Sequence, residues 1–221
     1  MEETAADADV DGEKVATIAV LSDRLLSLHG EQRSQRTILA GASASVDPSA
    51  EAVELVRAMA RSRLNILLID WSLDGTGVAK LLGEPIGPGI SELLDDKARF
   101  ADVIGRVPGS AAHMIASGVG LVSASGRGDV DRLNLLLDTL DEIYDHIVVA
   151  ARFNAARDLF ETIEGRFDAG VLIGEPPPHS DARAVAGSTF LGFEVESLKI
   201  IRLARTYSNT GNRKSARKQA A

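Results

Sequence analysis

Three short runs in this 221-residue chain are apolar almost throughout: NILLID (residues 65–70), HIVVA (146–150) and AGVLIGE (169–175). A strand that alternates apolar and polar residues can leave one face in water. A strand apolar at nearly every position must be covered on both faces, which is the condition of strands in parallel sheets. Parallel neighbours are joined by crossover connections, usually helices, that pack on those faces. The segments between these runs have the required helical period, so the predicted fold class is α/β: a doubly wound, mostly parallel sheet with helices on both faces.

Residues 15–29 read as an amphipathic helix with Ile18, Leu21, Leu25 and Leu28 on one stripe. RTILAGAS (36–43) is a buried strand. Asp47-Pro48 starts the next helix, with Asp47 as N-cap and Pro48 at the first helical position, and Val53, Leu55, Val56 and Met59 form its sheet-facing side. AHMIASG (112–118) is a weaker strand candidate. DVDRLNLLLDTLDEIYD (129–145) and NAARDLFETIEGRF (154–167) are helices, SDARAVAGS (180–188) is a short helix, and FLGFEV (190–195) is the last strand. The expected organisation is an acidic disordered tail over 1–14, a single domain over 15–205 and a basic disordered tail over 206–221.

Composition removes several function classes. With 45% hydrophobic and 25% charged residues, the chain can bury a core of its own. It has no cysteine, which excludes disulfides and thiolate metal sites, and its four scattered histidines do not form a zinc site. A net charge of -8 opposes general nucleic-acid binding. No apolar run approaches the ~20 residues that span a bilayer. The expectation is a cytoplasmic protein, or the excised cytosolic piece of a membrane protein.

The segment from Leu64 to Ile104 carries a series of short motifs. The strand ending in Asp70 leads to Leu82-Gly83-Glu84-Pro85, then to Pro88-Gly89-Ile90-Ser91-Glu92-Leu93-Leu94, then to Asp102-Val103-Ile104. With the later YDHIVVA and DLFETIEGRFDAGVLI, this order and spacing resemble the cytosolic P-loop domain of bacterial tyrosine kinases, from about Ile38 to about Val195. Those domains accompany polysaccharide co-polymerases and regulate the length and export of capsule or exopolysaccharide. Partition and division-site ATPases are more distantly similar, sharing the wound sheet but not the Pro-Gly segment.

A P-loop holds phosphate with glycine-permitted backbone donors, a helix N-terminus and a lysine, and holds magnesium with a Ser or Thr hydroxyl and strand-end acids. Counted from Gly41, the motif frame puts Val46, Asp47 and Pro48 at the Gly, Lys and Ser/Thr positions; matched to the following helix, it puts Pro48 at the lysine and Ser49 at the hydroxyl. The vestigial loop Ser45, Val46, Asp47, Pro48, Ser49 contains no cation in either frame. An acid in place of a cation about 4 Å from a phosphate changes the interaction by roughly 4 kcal/mol or more at an effective dielectric near 20. By the same resemblance, Asp70 keeps the first acid of an Asp-x-Asp pair, but Ser72 replaces the second, Asp74 stands near an expected arginine, and Ala150 replaces the later acid. Asp70 is open to two readings: a vestigial metal ligand, or a strand-end acid capping a neighbouring loop.

These losses imply no nucleotide cofactor, no metal and no catalytic residue. The resemblance then implies a pseudo-kinase: a non-catalytic regulatory or scaffold domain in polysaccharide chain-length control and export. Its partners would be a membrane polysaccharide co-polymerase or its own missing transmembrane region, with homo-oligomerisation, no nucleic acid, and a cytoplasmic location peripheral to the inner membrane. The 15–29 helix is the expected docking element. Trp71 is expected to fill part of the vacated nucleotide space and Tyr144 to be core; Tyr207 lies in the basic tail, where a remnant phosphate acceptor is the lesser reading beside an ordinary tail residue. The alternatives are an active ATP- and magnesium-binding kinase or ATPase that borrows a cation such as Arg36 or Lys80, and a positioning protein of the partition or division-site type.

Overall fold

The computed structural model describes residues 13–15, 17–28, 34–72, 75–85, 87–119, 130–174 and 189–204. Its strands are β1 (Glu13–Val15), β2 (Gln35–Gly41), β3 (Ile66–Asp70), β4 (Ile104–Arg106), β5 (His113–Ile115), β6 (His146–Ala151), β7 (Ala169–Gly174), β8 (Thr189–Phe190), β9 (Phe193–Glu194) and β10 (Lys199–Ala204). Its helices are α1 (Ile18–Ser27), α2 (Ser49–Met59), α3 (Val78–Leu82), α4 (Ile90–Leu94), α5 (Phe100–Val103), α6 (Val130–Asp141) and α7 (Phe153–Thr162). Eight strands form one sheet in the order β1-β10-β7-β2-β6-β3-β5-β4, all parallel except the β4–β5 pair.

The double burial expected from the apolar runs is present residue by residue. Leu67, Ile69, Ile147 and Val149 pack with α4, α6 and α7 on one face. Ile66, Leu68, Val148 and Ala150 pack with α1, α2 and α3 on the other. The fold is therefore a doubly wound α/β sheet. Tyr144 is buried as expected, its hydroxyl 2.9 Å from Nδ1 of His113.

Several local expectations are corrected. The first helix begins at Ile18, not at residue 15, because the Thr17 side chain accepts the N–H of Val20 and sets the boundary. Val15 and the two residues before it, part of the expected tail, form β1 beside β10. The stripe of α1 is not a docking surface either, since Leu21 and Leu25 are fully buried against the α2 face of the sheet. FLGFEV is not one strand. Leu191 and Gly192 both take positive φ (54° and 91°), as a two-residue hairpin turn requires, and split it into β8 and β9. The last sheet strand is β10, where Lys199 and Arg202 disguise an otherwise apolar run. The predicted helix at 180–188, Asp74 and Tyr207 lie outside the described residues.

The Pro-Gly segment has a packing reason for its residues. A Cβ on Gly89 would overlap the Ala116 carbonyl and the Gly118 nitrogen, and one on Gly118 (φ 92°) would overlap Ser91 Oγ and the Glu92 carboxylate. Glu92 then accepts the N–H groups of Gly89 (2.8 Å) and Val119 (3.1 Å), tying α4 to the end of β5.

At the opposite, N-terminal rim, Arg36 enters β2 with its side chain 4% exposed. Its guanidinium donates to Asp141, through Nε at 3.0 Å and through Nη2, and also to Asp138 at 3.2 Å, while its backbone N–H donates to Asp168 at 2.8 Å. This joins β2 to the last turn of α6. Asp138 and Asp141 are 56% and 24% exposed, so solvent compensates them in part when the guanidinium is removed. Arg36→Met is therefore expected to lower stability by about 1–2 kcal/mol, chiefly through lost charge-assisted hydrogen bonds, read as a shift of the urea midpoint at unchanged slope.

Candidate functional site

Parallel register brings the ends of β2, β6 and β3 together: Ala40 pairs with Ala151, and Asp70 with Ala150. The residues that follow these strands share one rim. After β2 the chain turns sharply. Ala42 donates its N–H to Ile173 O (2.7 Å) and Val46 donates to Ser43 O (3.1 Å). A Cβ on Gly41 would overlap the Val46 carbonyl oxygen, so that carbonyl folds back over the strand end. The Val46 side chain is buried in the α2-side core.

Helix α2 begins at Ser49 with Pro48 as its N-cap residue, one position later than expected for Asp47 and Pro48. Pro48 has φ -85° and ψ 3°, outside the helical region, while its carbonyl already accepts from Ala52 (2.9 Å), which is the N-cap arrangement. Asp47 still serves the helix mouth: its Oδ1 accepts from the Ser49 N–H (3.0 Å) and from the Ser49 hydroxyl (2.6 Å). Its other oxygen, Oδ2, accepts from Nη2 of Arg152 at 2.8 Å. Burial alone would raise the Asp47 pKa, but the hydrogen bonds from Ser49 and Arg152 together hold it below the ordinary 3.8.

Arg152 was missed in the sequence. It is the N-cap residue of α7 and directly follows β6. The missing signal was spatial, because only the β2–β6 pairing brings residue 152 to the 42–48 loop. Arg152 also revises the charge reading. The helix mouth holds a self-neutralised pair and not a bare acid, so repulsion of a phosphate is weaker than the sequence implied. The obstacle is that the Ser49 donors and the nearby cation already have a common partner. Ser43 and Ser45 join hydroxyls at 2.9 Å in the same loop.

Asp70 is buried and acts on backbone. Oδ1 accepts the Ser72 N–H (3.0 Å) and Oδ2 accepts the Ala79 N–H in the first turn of α3 (3.3 Å), while Ser72 Oγ accepts the Gly77 N–H (3.1 Å). Gly77 must be glycine, since a Cβ there would overlap both Asp70 Oδ1 and Ser72 Oγ. This is the capping geometry. Burial raises the Asp70 pKa above 3.8 against the lowering effect of these bonds.

Other expected site groups lie elsewhere. Trp71 packs with Ile69, Ile90, Leu133 and Phe167 on the face opposite α2, and no residue of the 42–48 loop is in that cluster, so its indole does not fill the space above the loop. It faces the α6–α7 side because consecutive residues leaving β3 alternate faces. Arg36 stands at the far rim, buried against carboxylates, and cannot supply the loop. Lys80 is exposed on α3. A nucleoside triphosphate with magnesium does not fit these residues: the Ser49 N–H and hydroxyl are bonded to Asp47, the loop has no lysine, and β6 ends in Ala150 and Ala151. Among the described residues no group of three or more acidic or histidine side chains is placed to hold a metal ion, and no helix is long and apolar enough to cross a membrane.

No protein-family model matches the sequence, and no curated protein does. Solved structures do. The kinase domain of the Escherichia coli tyrosine kinase ETK superposes with a TM-score of 0.67 at 19% identity, covering 87% of this chain and 76% of that one. The VpsO kinase domain gives 0.57 at 21% identity, covering 71% and 77%. The BceF tyrosine kinase domain gives 0.56 at 19%, covering 85% and 74%. The chain shares the fold of these kinase domains. At these identities the likeness concerns the fold, and the chemistry rests on the rim just described.

The two rim acids have opposite pH signatures. Because the folded Asp47 pKa is lowered, its stabilisation is present above 3.8 and is lost as pH falls through the folded value. The raised Asp70 pKa works the other way, and stability falls as pH rises through the window above 3.8. Asp47→Asn should be less stable than the parent at neutral pH and converge with it once pH falls below the lowered folded value of Asp47, as measured by chemical unfolding across pH.

Proposed function

We propose that this chain is a pseudo-kinase: a non-catalytic regulatory or scaffold domain for chain-length control and export of capsule or exopolysaccharide. It acts as a homo-oligomer at the cytoplasmic side of the inner membrane. Its partner is a membrane polysaccharide co-polymerase or a transmembrane region of its own chain. The resemblance of the 64–104 segment to the tyrosine-kinase domains supports the setting. One observation carries the non-catalytic reading: both oxygens of Asp47 are committed, one to the Ser49 N–H and hydroxyl and the other to Arg152. A phosphate would have to displace a carboxylate that is tethered to the same helix, and no lysine offsets the loss. The loss of a charge-assisted contact and its donors amounts to several kcal/mol, or more than three decades of affinity.

Titration calorimetry with MgATP tests this. The expected result is no saturable heat up to about millimolar nucleotide, corresponding to binding weaker than roughly 4 kcal/mol. Micromolar binding that vanishes in Asp70→Ala would establish the competing reading, an active ATPase or kinase with a deviant loop.

A further inference from the structure

Five of the chain's 24 lysines and arginines fall after Ala204, at Arg205, Arg213, Lys214, Arg217 and Lys218, and none of its 32 acids does. The same stretch holds one aromatic residue, Tyr207, and no leucine, isoleucine, valine or phenylalanine. It has charge to offer a partner and almost no apolar surface. Strand pairing fixes where it begins. Ala204 is level with Gly174, and Ile173 with Gly41, so β10 ends at the C-terminal rim of the sheet, beside the end of β7.

The corner from which these residues leave suits an anionic surface. β1 ends at Val15, level with Leu203, and α1 starts at Ile18, so the first turn of α1 stands next to the exit. That turn has no acidic residue, Ala19 is exposed and Val20 is 49% exposed. The first turn of α7 also lacks an acid, and Asp47 is balanced by Arg152. Glu51 and Asp131 open α2 and α6 on the same rim, but α2 packs on β3 and β6, and α6 on α4, away from the β1–β10 corner. Asp141, Glu142, Asp145 and Asp168 lie at the opposite rim, and the acidic 1–12 segment enters β1 from that side. We propose that residues 205–221 bind an anionic lipid bilayer and turn the β1–β10 corner of the C-terminal rim toward it. This deepens the membrane placement proposed above by naming a lipid contact, and so rests on it.

Each lysine or arginine close to an anionic bilayer raises affinity about fivefold, so five of them supply roughly three decades. Without an apolar anchor the attachment is reversible and salt-sensitive, and a second contact with a membrane partner would be needed to make it lasting. Geometry favours a bilayer over a polyanion free in solution. β2, from Gln35 to Gly41, sets the two rims about 20 Å apart, about two Debye lengths at 0.1 M salt. A flat bilayer meets one rim alone and leaves the acids of the other rim screened from it. A free polyanion gains nothing from that separation.

Co-sedimentation of the full chain with vesicles tests the contact. Binding is expected to vesicles holding about 30% phosphatidylglycerol in phosphatidylcholine at about 0.1 M salt, none to phosphatidylcholine alone, and loss at about 0.5 M salt. Arg213→Glu, Lys214→Glu, Arg217→Glu and Lys218→Glu together should weaken it about a hundredfold or more, with an unchanged urea midpoint. The chain has no cysteine, so Val20→Cys and Ile143→Cys each give a single labelling site, at exposed positions on opposite rims. An environment-sensitive label should shift on vesicle binding at position 20 and not at 143. Absence of binding would overturn the proposal, as would binding that ignores lipid charge or survives the four reversals, or a label shift at 143 alone. So would a protein that binds a DNA duplex and not the vesicles, or one that binds vesicles only after residues 1–12 are deleted. MgATP calorimetry reads the helix mouth and vesicle binding reads the 205–221 segment, so the two readings fail separately.

Discussion

Strands that are apolar on both faces can be covered only by helices that return each connection to the same starting rim, so their C-terminal ends all emerge together. Everything distinctive about this chain follows from that constraint. The end of β2, with its turn and Asp47, lies beside the end of β6, with Arg152, and β6 lies beside β3 with Asp70. Groups that are 23 to 105 positions apart in sequence therefore meet on one edge. On that edge Asp47 bonds Ser49 and Arg152, and Asp70 bonds Ser72 and Ala79.

The closure is made by hydrogen-bond accounting more than by bare charge. Asp47 and Arg152 are each 40% exposed, so their mutual attraction is screened, and its contribution to stability is modest. Its consequence for a ligand is larger than its consequence for folding. An anion arriving at α2 must detach Asp47 from Ser49 before it gains anything, and the freed carboxylate stays tethered nearby. Asp70 shows the same conversion at a second position. An acid that could serve a metal instead satisfies Ser72 and the first turn of α3, and Gly77 makes room for it.

What the sequence revealed and what it hid separate along a physical line. Double burial, helical period and glycine packing are local or periodic, and NILLID, HIVVA and the Pro-Gly segment could be read directly. Helix starts were legible to within a few residues, because Thr17 and Asp47 compete with nearby alternatives for the same backbone donors. The hidden features were relational. β10 was obscured because Lys199 and Arg202 interrupt its apolar run, and β1 because three residues carry too little pattern. The partner of Asp47 depended on which strands are neighbours, which no spacing along the chain encodes. Trp71 depended on the alternation of faces after β3, and the apolar stripe of α1 could not by itself declare whether it faced its own sheet or another molecule.

A fold that normally gains stability by binding a ligand must replace that contribution if the ligand is lost, since a ligand bound only to the folded state stabilises it by mass action. On the pseudo-kinase reading, the replacements are internal to the rim. Asp47 stands in for the anion at the helix mouth, Arg152 balances its charge, and Asp70 organises the β3–α3 turn through backbone N–H groups. Each of these bonds is made within the chain, so on that reading the rim keeps its arrangement without a ligand.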